Sequence, residues 1–471
     1  MTAPLQCPPP RVQPPLLPGF RPASLATRAF RAEAEAAGGP FLVLGLERPG
    51  GERSRHAVRI FPEGHPRAAE NAAYAEHLLK VLLWQRGAFR VHAGGPPAVG
   101  DHLRHAFSGD GPHRFDVRFM GEDVYGRPFE VLPCAAAEVP AAAESGRALG
   151  RHLQGCRIGF DLGGSDRKVS AVIDGRAVFS EEVAWAPRME PDPGYHYREI
   201  SSALRTAAAH LPRVDAIGGS AAGIYVDNQA RIASLFRGVP RERYGEVRAI
   251  FPRLQAEWGV PLEVANDGDV TDLAGSMSLG ENGVLGLAMG TSLAAGYVDG
   301  SGHLLGWLNE LAFAPVDLDP GAASDEWSGN RGAGVQYFSQ QAVFRLAPAA
   351  GIDIPAGMTD AARLEFVQAR LEEGHEGAVA IWRSIGICLG YALAQYAGLY
   401  DLRHVLVLGR CTSGRGGGLI LDEARAVLTA EFPEQAGLQV QLPDERSRRV
   451  GQSIAAASLP ALPLEGPCAS A

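Results

Sequence analysis

The chain has 471 residues, 46% hydrophobic and 21% charged, with a net charge of −9. That length exceeds what one hydrophobic core supports and predicts about two to four domains, while the acidic balance excludes general binding to nucleic acid or anionic membranes, which needs a basic surface. Six scattered cysteines with no CxxC pair, no basic-then-apolar start and no apolar run of about 18 residues predict a reducing, cytoplasmic setting without structural zinc.

Residues 1–22 hold eight prolines and no periodicity, so residues 1–35 are expected to form an extended, poorly ordered tail. Phe41-Leu42-Val43-Leu44 reads as a strand, with a hairpin partner at Ala57-Val58-Arg59-Ile60-Phe61. A helix is predicted from about Pro66 to Arg86, because Tyr74, Leu78, Val81 and Leu82 share one helical face and Gly87 supplies a stop. Phe89 to His92 and Phe115 to Phe119 alternate like strands. Residues 36–155 therefore read as a small α/β module, ending in an alanine-rich helix over about 135–153.

The most informative segment follows. An apolar strand from Arg157 carries Asp161, runs into Gly163-Gly164-Ser165, and a second strand from Arg167 leaves to Asp174-Gly175. Two glycines let backbone approach a phosphate with no Cβ in the way, and the turn amides and the Ser165 hydroxyl can cradle its oxygens. Asp161 at the strand end can hold Mg²⁺ through water, as a small hard cation prefers. An ordinary hairpin with a glycine turn is the competing reading.

Beyond it strands and helices alternate, the pattern of a layered α/β fold. Val214 to Ile217 leaves through Gly218-Gly219-Ser220, and Pro261 to Ala265 ends on Asn266-Asp267. Val284 to Met289 ends on Gly290-Thr291-Ser292. A long apolar helix spans 376–400, and Val405 to Leu408 precedes Gly409. Polar or glycine-rich turns thus recur at the carboxyl ends of strands, where such sheets bind ligands. Asn266-Asp267 is equally a helix cap, and Ser220 a turn residue bonding its own backbone.

Four segments in this order resemble the sugar-kinase/actin/heat-shock-chaperone superfamily, and within it the repressor–ORF–kinase (ROK) family. They are Asp161 to Asp174, Asn266-Asp267, Met289 to Gly296, and Leu408-Gly409. The resemblance covers roughly residues 157–458. It implies an α/β, two-lobed ribonuclease H-like (actin-like ATPase) fold with an additional N-terminal α/β module. The small lobe would span 156–275, with a helix at about 445–458 returning to it, and the large lobe 276–444.

The resemblance also implies ATP-dependent, Mg²⁺-assisted phosphorylation of a hydroxyl of a sugar or related polyol. Asp267 would be the general base, since a sugar hydroxyl is a poor nucleophile until a carboxylate accepts its proton. Asn266, Glu310, Glu326 and Ser220 would contact the sugar. Gly163, Gly164, Ser165, Lys168, Gly290, Thr291, Ser292 and Gly409 would hold nucleotide, and Asp161 the metal. A cytoplasmic homo-oligomer, a dimer, binding neither nucleic acid nor membrane is expected. The chain departs from the family where Phe313 replaces the usual zinc-binding His and the accompanying cysteine cluster is missing. Packing of Trp307, Phe313 and Trp327 is expected to order that shell instead. The glycines at 414 and 416–418 fit a degenerate adenosine motif or a flexible loop. The alternative function is a non-catalytic, sugar-responsive regulator of the ROK type.

Overall fold

A computed structural model describes residues 3–144, 149–443 and 451–462. The chain divides into two compact units: residues 1–144, 285–295 and 306–442 form unit one, and residues 145–284, 296–305 and 443–471 form unit two. The chain has the mixed α/β, actin-like ATPase architecture that the motif order implied, with an N-terminal α/β addition.

The addition consists of α1 (Ala23–Ala36), β1 (Phe41–Glu47), β2 (Arg53–Arg59), α2 (Asn71–Arg86), β3 (Arg90–Gly94), α3 (Pro97–Ala106), α4 (Arg114–Arg118) and β4 (Glu130–Cys134). Its sheet runs β2-β1-β3-β4, with β1 antiparallel to both neighbours and β3 parallel to β4. Central β1 buries Leu42, Val43, Leu44 and Leu46, as a strand covered on both faces requires.

Three local expectations are overturned here. The expected tail over residues 1–35 is not loose: residues 23–35 belong to α1, and residues 3–22 form a docked strap. The Val12 amide donates to the Tyr391 hydroxyl at 3.3 Å, the Leu16 amide to Ser384 Oγ at 3.1 Å, and Phe20 packs against Tyr337 and Tyr391. Prolines hold this strap extended and leave few donors to satisfy, so side chains of the underlying helix suffice. Phe115 to Phe119 is helical rather than a strand: α4 continues into a π-helical turn, Phe119–Tyr125. The same apolar spacing serves an i,i+4 pair, and the Phe115 and Phe119 rings stack at 5.8 Å. The alanine-rich stretch forms only a 3₁₀ turn, Ala136–Glu138, before Ala143 pairs with Arg53; residues 145–148 lie outside the described residues. Pro140 removes an amide that the expected helix would need.

Unit two contains β5 (Cys156–Leu162), β6 (Asp166–Ile173), β7 (Arg176–Ala184), α5 (Pro193–Ala208), β8 (Ala216–Ala221), the small hairpin β9 (Ile224–Val226) and β10 (Gln229–Ile232), α6 (Tyr244–Trp258), β11 (Leu262–Asn266) and α7 (Asp267–Leu279). The sheet order is β11-β8-β5-β6-β7, with β5, β8 and β11 parallel and β6 and β7 antiparallel. Its core gathers Ile158, Phe160 and Ile217 of the sheet with Ile200, Leu204, Phe251 and Leu254 of α5 and α6.

The remaining elements of unit one are β12 (Val284–Met289), β13 (Leu293–Val298), α8 (Gln340–Leu346), α9 (Asp360–Glu372), α10 (Glu376–Ala397), β14 (His404–Leu408), α11 (Arg415–Glu431) and β15 (Gln439–Gln441), with sheet order β13-β12-β14-β15. Two strands at the unit boundary, β12 and β13, run a few residues past it. By length and composition α10 could cross a membrane, although Arg383 interrupts its apolar run, and 72% of its most apolar window is buried in protein. It is a core helix here, and α1 and α11 pack on it. Residues 36–144 of the expected N-terminal module and most of the expected large lobe, 285–295 and 306–442, fall together in unit one.

The chain ends its described course in α12 (Gln452–Ala457) of unit two, which lies on β5 and β8. A Cβ on Gly159 would overlap the Ser453 carbonyl oxygen, and one on Gly218 that of Ala456. These two glycines let α12, with its buried Ala455-Ala456-Ala457, settle directly on the sheet backbone.

Candidate functional site

The carboxyl ends of β5, β8 and β11 in unit two bring four predicted residues together. Sheet register sets Asp161 opposite Ser220, and Asn266 opposite Ala221. The Ser220 hydroxyl donates to Asp161 Oδ1 at 2.7 Å. Gln452 of α12, which carries no sequence motif, donates through Nε2 to Ser220 Oγ at 2.8 Å and to the Asp267 carbonyl at 3.1 Å. Ser220 thus positions a carboxylate instead of closing a local turn.

Asn266 is the N-cap of α7: its Oδ1 accepts from the Gly268 amide at 2.7 Å, while Nδ2 donates to the Gly223 carbonyl at 2.8 Å. The capping reading is therefore correct for Asn266, and its side chain also pins the loop after β8. Asp267 begins the helix and accepts from the Gly268 amide at 3.0 Å. Burial raises the Asp267 pKa against that amide and its own. Burial likewise raises Asp161, with the charge of Asp267 adding to it and the Ser220 hydrogen bond opposing it. Two carboxylates in a partly dry setting at one sheet end can accept a proton or hold a hard cation.

The β5–β6 turn is tightly pinned. The Gly163 amide donates to the Asp166 carbonyl at 2.9 Å, and Trp185 donates through Nε1 to the Gly163 carbonyl at 2.8 Å and through its amide to the Ser165 carbonyl at 3.0 Å. The Ser165 hydroxyl is turned to Asp166 Oδ2 at 2.9 Å. Lys168 stands 3.8 Å from both Asp166 and Glu182, too far for a hydrogen bond. Sequence reasoning missed Arg188, on the 3₁₀ turn Pro187–Met189, whose guanidinium lies against Gly164: a Cβ there would sit 2.7 Å from its Cζ. No motif marks that arginine.

In unit one, Gly290-Thr291-Ser292 turns between β12 and β13, closed by the Gly290 amide donating to the Ser292 carbonyl at 2.9 Å; Thr291 and Ser292 are exposed. Gly409 lies at the root of this turn. Its φ is 102°, and a Cβ would come within 2.5 Å of the Met289 carbonyl oxygen, so only glycine fits. Gly416, Gly417 and Gly418 are not a flexible loop; they form the first turn of α11. There Gly416 packs on the Trp382 indole, which donates to the Cys411 carbonyl at 2.8 Å.

Glu310 is half-buried. Its amide donates to the Trp84 carbonyl at 2.9 Å and the Asn309 amide to that of Gln85 at 2.8 Å, so the end of α2 holds this segment. Phe313 packs against Trp84 at 4.8 Å and Trp327 at 5.1 Å, and Trp327 stands edge-on to Phe115 and Phe119. Beside them Lys80 Nζ donates to Asp116 at 2.8 Å and to Asn330 Oδ1 at 2.7 Å. Burial would raise the Asp116 pKa, but hydrogen bonds and charge from His113 and Lys80 hold it below the usual range. The shell expected from Trp307, Phe313 and Trp327 is thus built largely by the N-terminal addition. Trp307 takes no part: it donates to Glu144 at 3.2 Å and lies under the Arg86 guanidinium. Glu326 is exposed, while its neighbour Asp325 is buried and caps the Ser328 amide at 2.7 Å.

Two expected results follow from this shell. Lys80→Met should lower stability by about 3 kcal/mol, because buried Asp116 loses the ammonium at 2.8 Å and keeps only His113 as a basic neighbour; an unchanged denaturation midpoint would contradict the pairing. Elemental analysis should find no zinc, given that Phe313 stands where a ligand is needed. About one zinc per chain would reopen the assignment of this segment.

No protein-family model matches the chain, and no curated protein matches it significantly. Solved structures do. A ROK hexokinase from Thermus thermophilus aligns with a TM-score of 0.51 at 19% identity, covering 64% of this chain and 97% of that one. A ROK glucokinase from Streptomyces griseus, in complex with glucose and AMPPNP, aligns with a TM-score of 0.44 at 22% identity over 64% and 98% of the two chains. A ROK transcriptional regulator aligns with a TM-score of 0.45 at 18% identity over 65% and 78%. In fold, the chain stands with the ROK sugar kinases.

Proposed function

We propose that the chain is a ROK-type kinase that transfers the γ-phosphoryl group of ATP to a hydroxyl of a sugar or related polyol. The observation that carries this reading is the pair Asp161 and Asp267, held at one sheet end by Ser220 and Gln452. Likeness of fold to a hexokinase supports it by analogy only; the residues carry the argument.

Asp267 is the proton acceptor for the attacking hydroxyl. Burial raises its pKa toward that of the proton it must take, which strengthens a general base. Asp161 would hold Mg²⁺ through water, and the donor set fits: a hard carboxylate whose pKa is raised by burial, and further by the charge of Asp267, is relieved by a cation. Bound there, the ion would offset charge on the phosphates. In unit two the turn that the Gly163 amide closes would present the amides of Gly164 and Ser165 to phosphate; in unit one the turn that the Gly290 amide closes would present those of Thr291 and Ser292, with Gly409 toward the adenosine. Lys168 adds positive charge near the hairpin. Asn266, Glu310 and Glu326 hold sugar hydroxyls, and Ser220 serves by orienting Asp161. The protein acts in the cytoplasm as a homodimer in this reading.

The test is a panel of hexoses, amino sugars and polyols offered with Mg-ATP, with ADP release followed. At least one should accelerate ADP formation well above the sugar-free rate. Saturable sugar binding with no acceleration by any would instead favour the non-catalytic regulator.

A further inference from the structure

A cavity of about 570 Å³ opens in unit one, where α1, β1, β2 and α2 of the N-terminal addition meet the end of α10 and the turn after α11. Its size falls within the range of small-molecule sites. None of the residues assigned above to phosphate, sugar or metal lines it. The wall is mainly apolar, built by Tyr74, Leu78 and Val81 on one side and Leu399 and Phe432 on the other.

Behind that wall lie polar atoms without partners. Ser24 Oγ, His56 Nε2 and Gln395 Oε1 are all buried and make no hydrogen bond among the described residues. Ser24 and Gln395 are only 5% and 8% exposed. Each of these atoms has less than 1 Å² of open surface, so all three lie behind the wall and do not face a ligand. His56 is neutral: burial, then Arg86 and Arg31, push its pKa down to about 4. His56 therefore adds no charge to the cavity.

The charge at the cavity is one-sided. Its two lining carboxylates are occupied, Glu35 by Arg59 at 3.2 Å and Glu434 by Arg28 at 3.6 Å. Arg28 also donates to the Glu431 carbonyl, and Arg59 to that of Gly39 at 2.7 Å. Arg31 is different: exposed on α1 and lining the cavity, it makes no hydrogen bond or ion pair among the described residues. A guanidinium with all five donors unspent matches a carboxylate or a phosphate ester.

We propose that this cavity binds a small amphipathic anion, its carboxylate or phosphate on Arg31 and its apolar body against Tyr74, Leu78 and Val81. The N-terminal addition would then supply most of a ligand site that the sugar-kinase fold alone lacks. The inference does not depend on the kinase reading, because it uses none of the same residues.

Calorimetric titration of the full chain with phenyl phosphate tests it. Saturable binding of one molecule per chain is expected. Arg31→Ala should weaken it about tenfold or more, since a charge-assisted pair is lost. Ala32→Trp, which places an indole in the cavity from an exposed position of α1, should abolish it. Benzyl alcohol, with the ring but no charge, should bind wild type no better than phenyl phosphate binds Arg31→Ala. Both substitutions lie on the surface, and their melting temperatures should match wild type. Absence of saturable heat up to about 10 mM would overturn the proposal, leaving a water-filled cavity. Equal binding by all three proteins would overturn it too, by placing the phosphate elsewhere.

Discussion

The Asp267→Asn variant should lose sugar-dependent phosphoryl transfer by about 10²–10⁴-fold while keeping most of its affinity for Mg-ATP. Asparagine is nearly isosteric, and its Oδ1 can still accept from the Gly268 amide as Asp267 does at 3.0 Å. The start of α7 survives, because its cap is Asn266 and the Gln452 contact uses the backbone carbonyl of residue 267. What the amide cannot do is take a proton. The loss should therefore fall on turnover and not on binding, a separation that a damaged helix start would not give. The pH profile offers a companion sign. A base must be ionised, so wild-type turnover falls as pH drops through the Asp267 pKa, which burial lifts above the ordinary aspartate value. Retention of more than about a tenth of wild-type turnover would exclude Asp267 as the base.

Gly164→Val should remove nucleotide binding while leaving the fold nearly intact. Gly164 is not at positive φ, so valine meets no backbone strain there. The atoms a Cβ would meet belong to the Arg188 guanidinium, 2.7 Å away, the movable end of an exposed side chain. The folded state can yield at little expense. A phosphate cannot, because two methyl groups would stand where its oxygens must reach the turn amides. Melting with and without Mg-ATP separates the cases, since a ligand that binds only the native state raises the melting temperature. The variant should melt near wild type with the ATP-induced rise lost. A full rise would mean that the hairpin does not hold phosphate.

Motifs that act through backbone were legible in the sequence, because glycine and strand patterning report local geometry directly. Asp161 before Gly163-Gly164 and Asn266-Asp267 after a short strand were located to the residue. Gly409 was found as well, though its close approach to Met289 belongs to the structure. Partners brought from far along the chain were not legible. Gln452 reaches Ser220 across 232 positions, and nothing local marks it. Arg188 is one arginine among many, made notable only by lying over Gly164. The N-terminal strap was misread because prolines signal extension equally well in a free tail and in a docked one. Only Tyr391 and Ser384, some 370 residues on, decide between them. Phe115 and Phe119 failed for a related reason: their spacing suits strand or helix, and Trp84 and Trp327 select the helix. Of Trp307, Phe313 and Trp327, expected to replace the zinc shell, the last two do pack together; Trp84 and Lys80 were not legible because they come from a module whose role the sequence left open.

The central claim is that the phosphoryl group goes to a sugar hydroxyl. The most direct measurement follows the label from γ-³²P-ATP after incubation with wild-type protein, Mg²⁺ and the sugar that most accelerates ADP release. Label recovered as a sugar phosphate ester, in step with ADP and absent with Asp267→Asn, is the predicted result. Label recovered only as inorganic phosphate, whatever sugar is present, would contradict it.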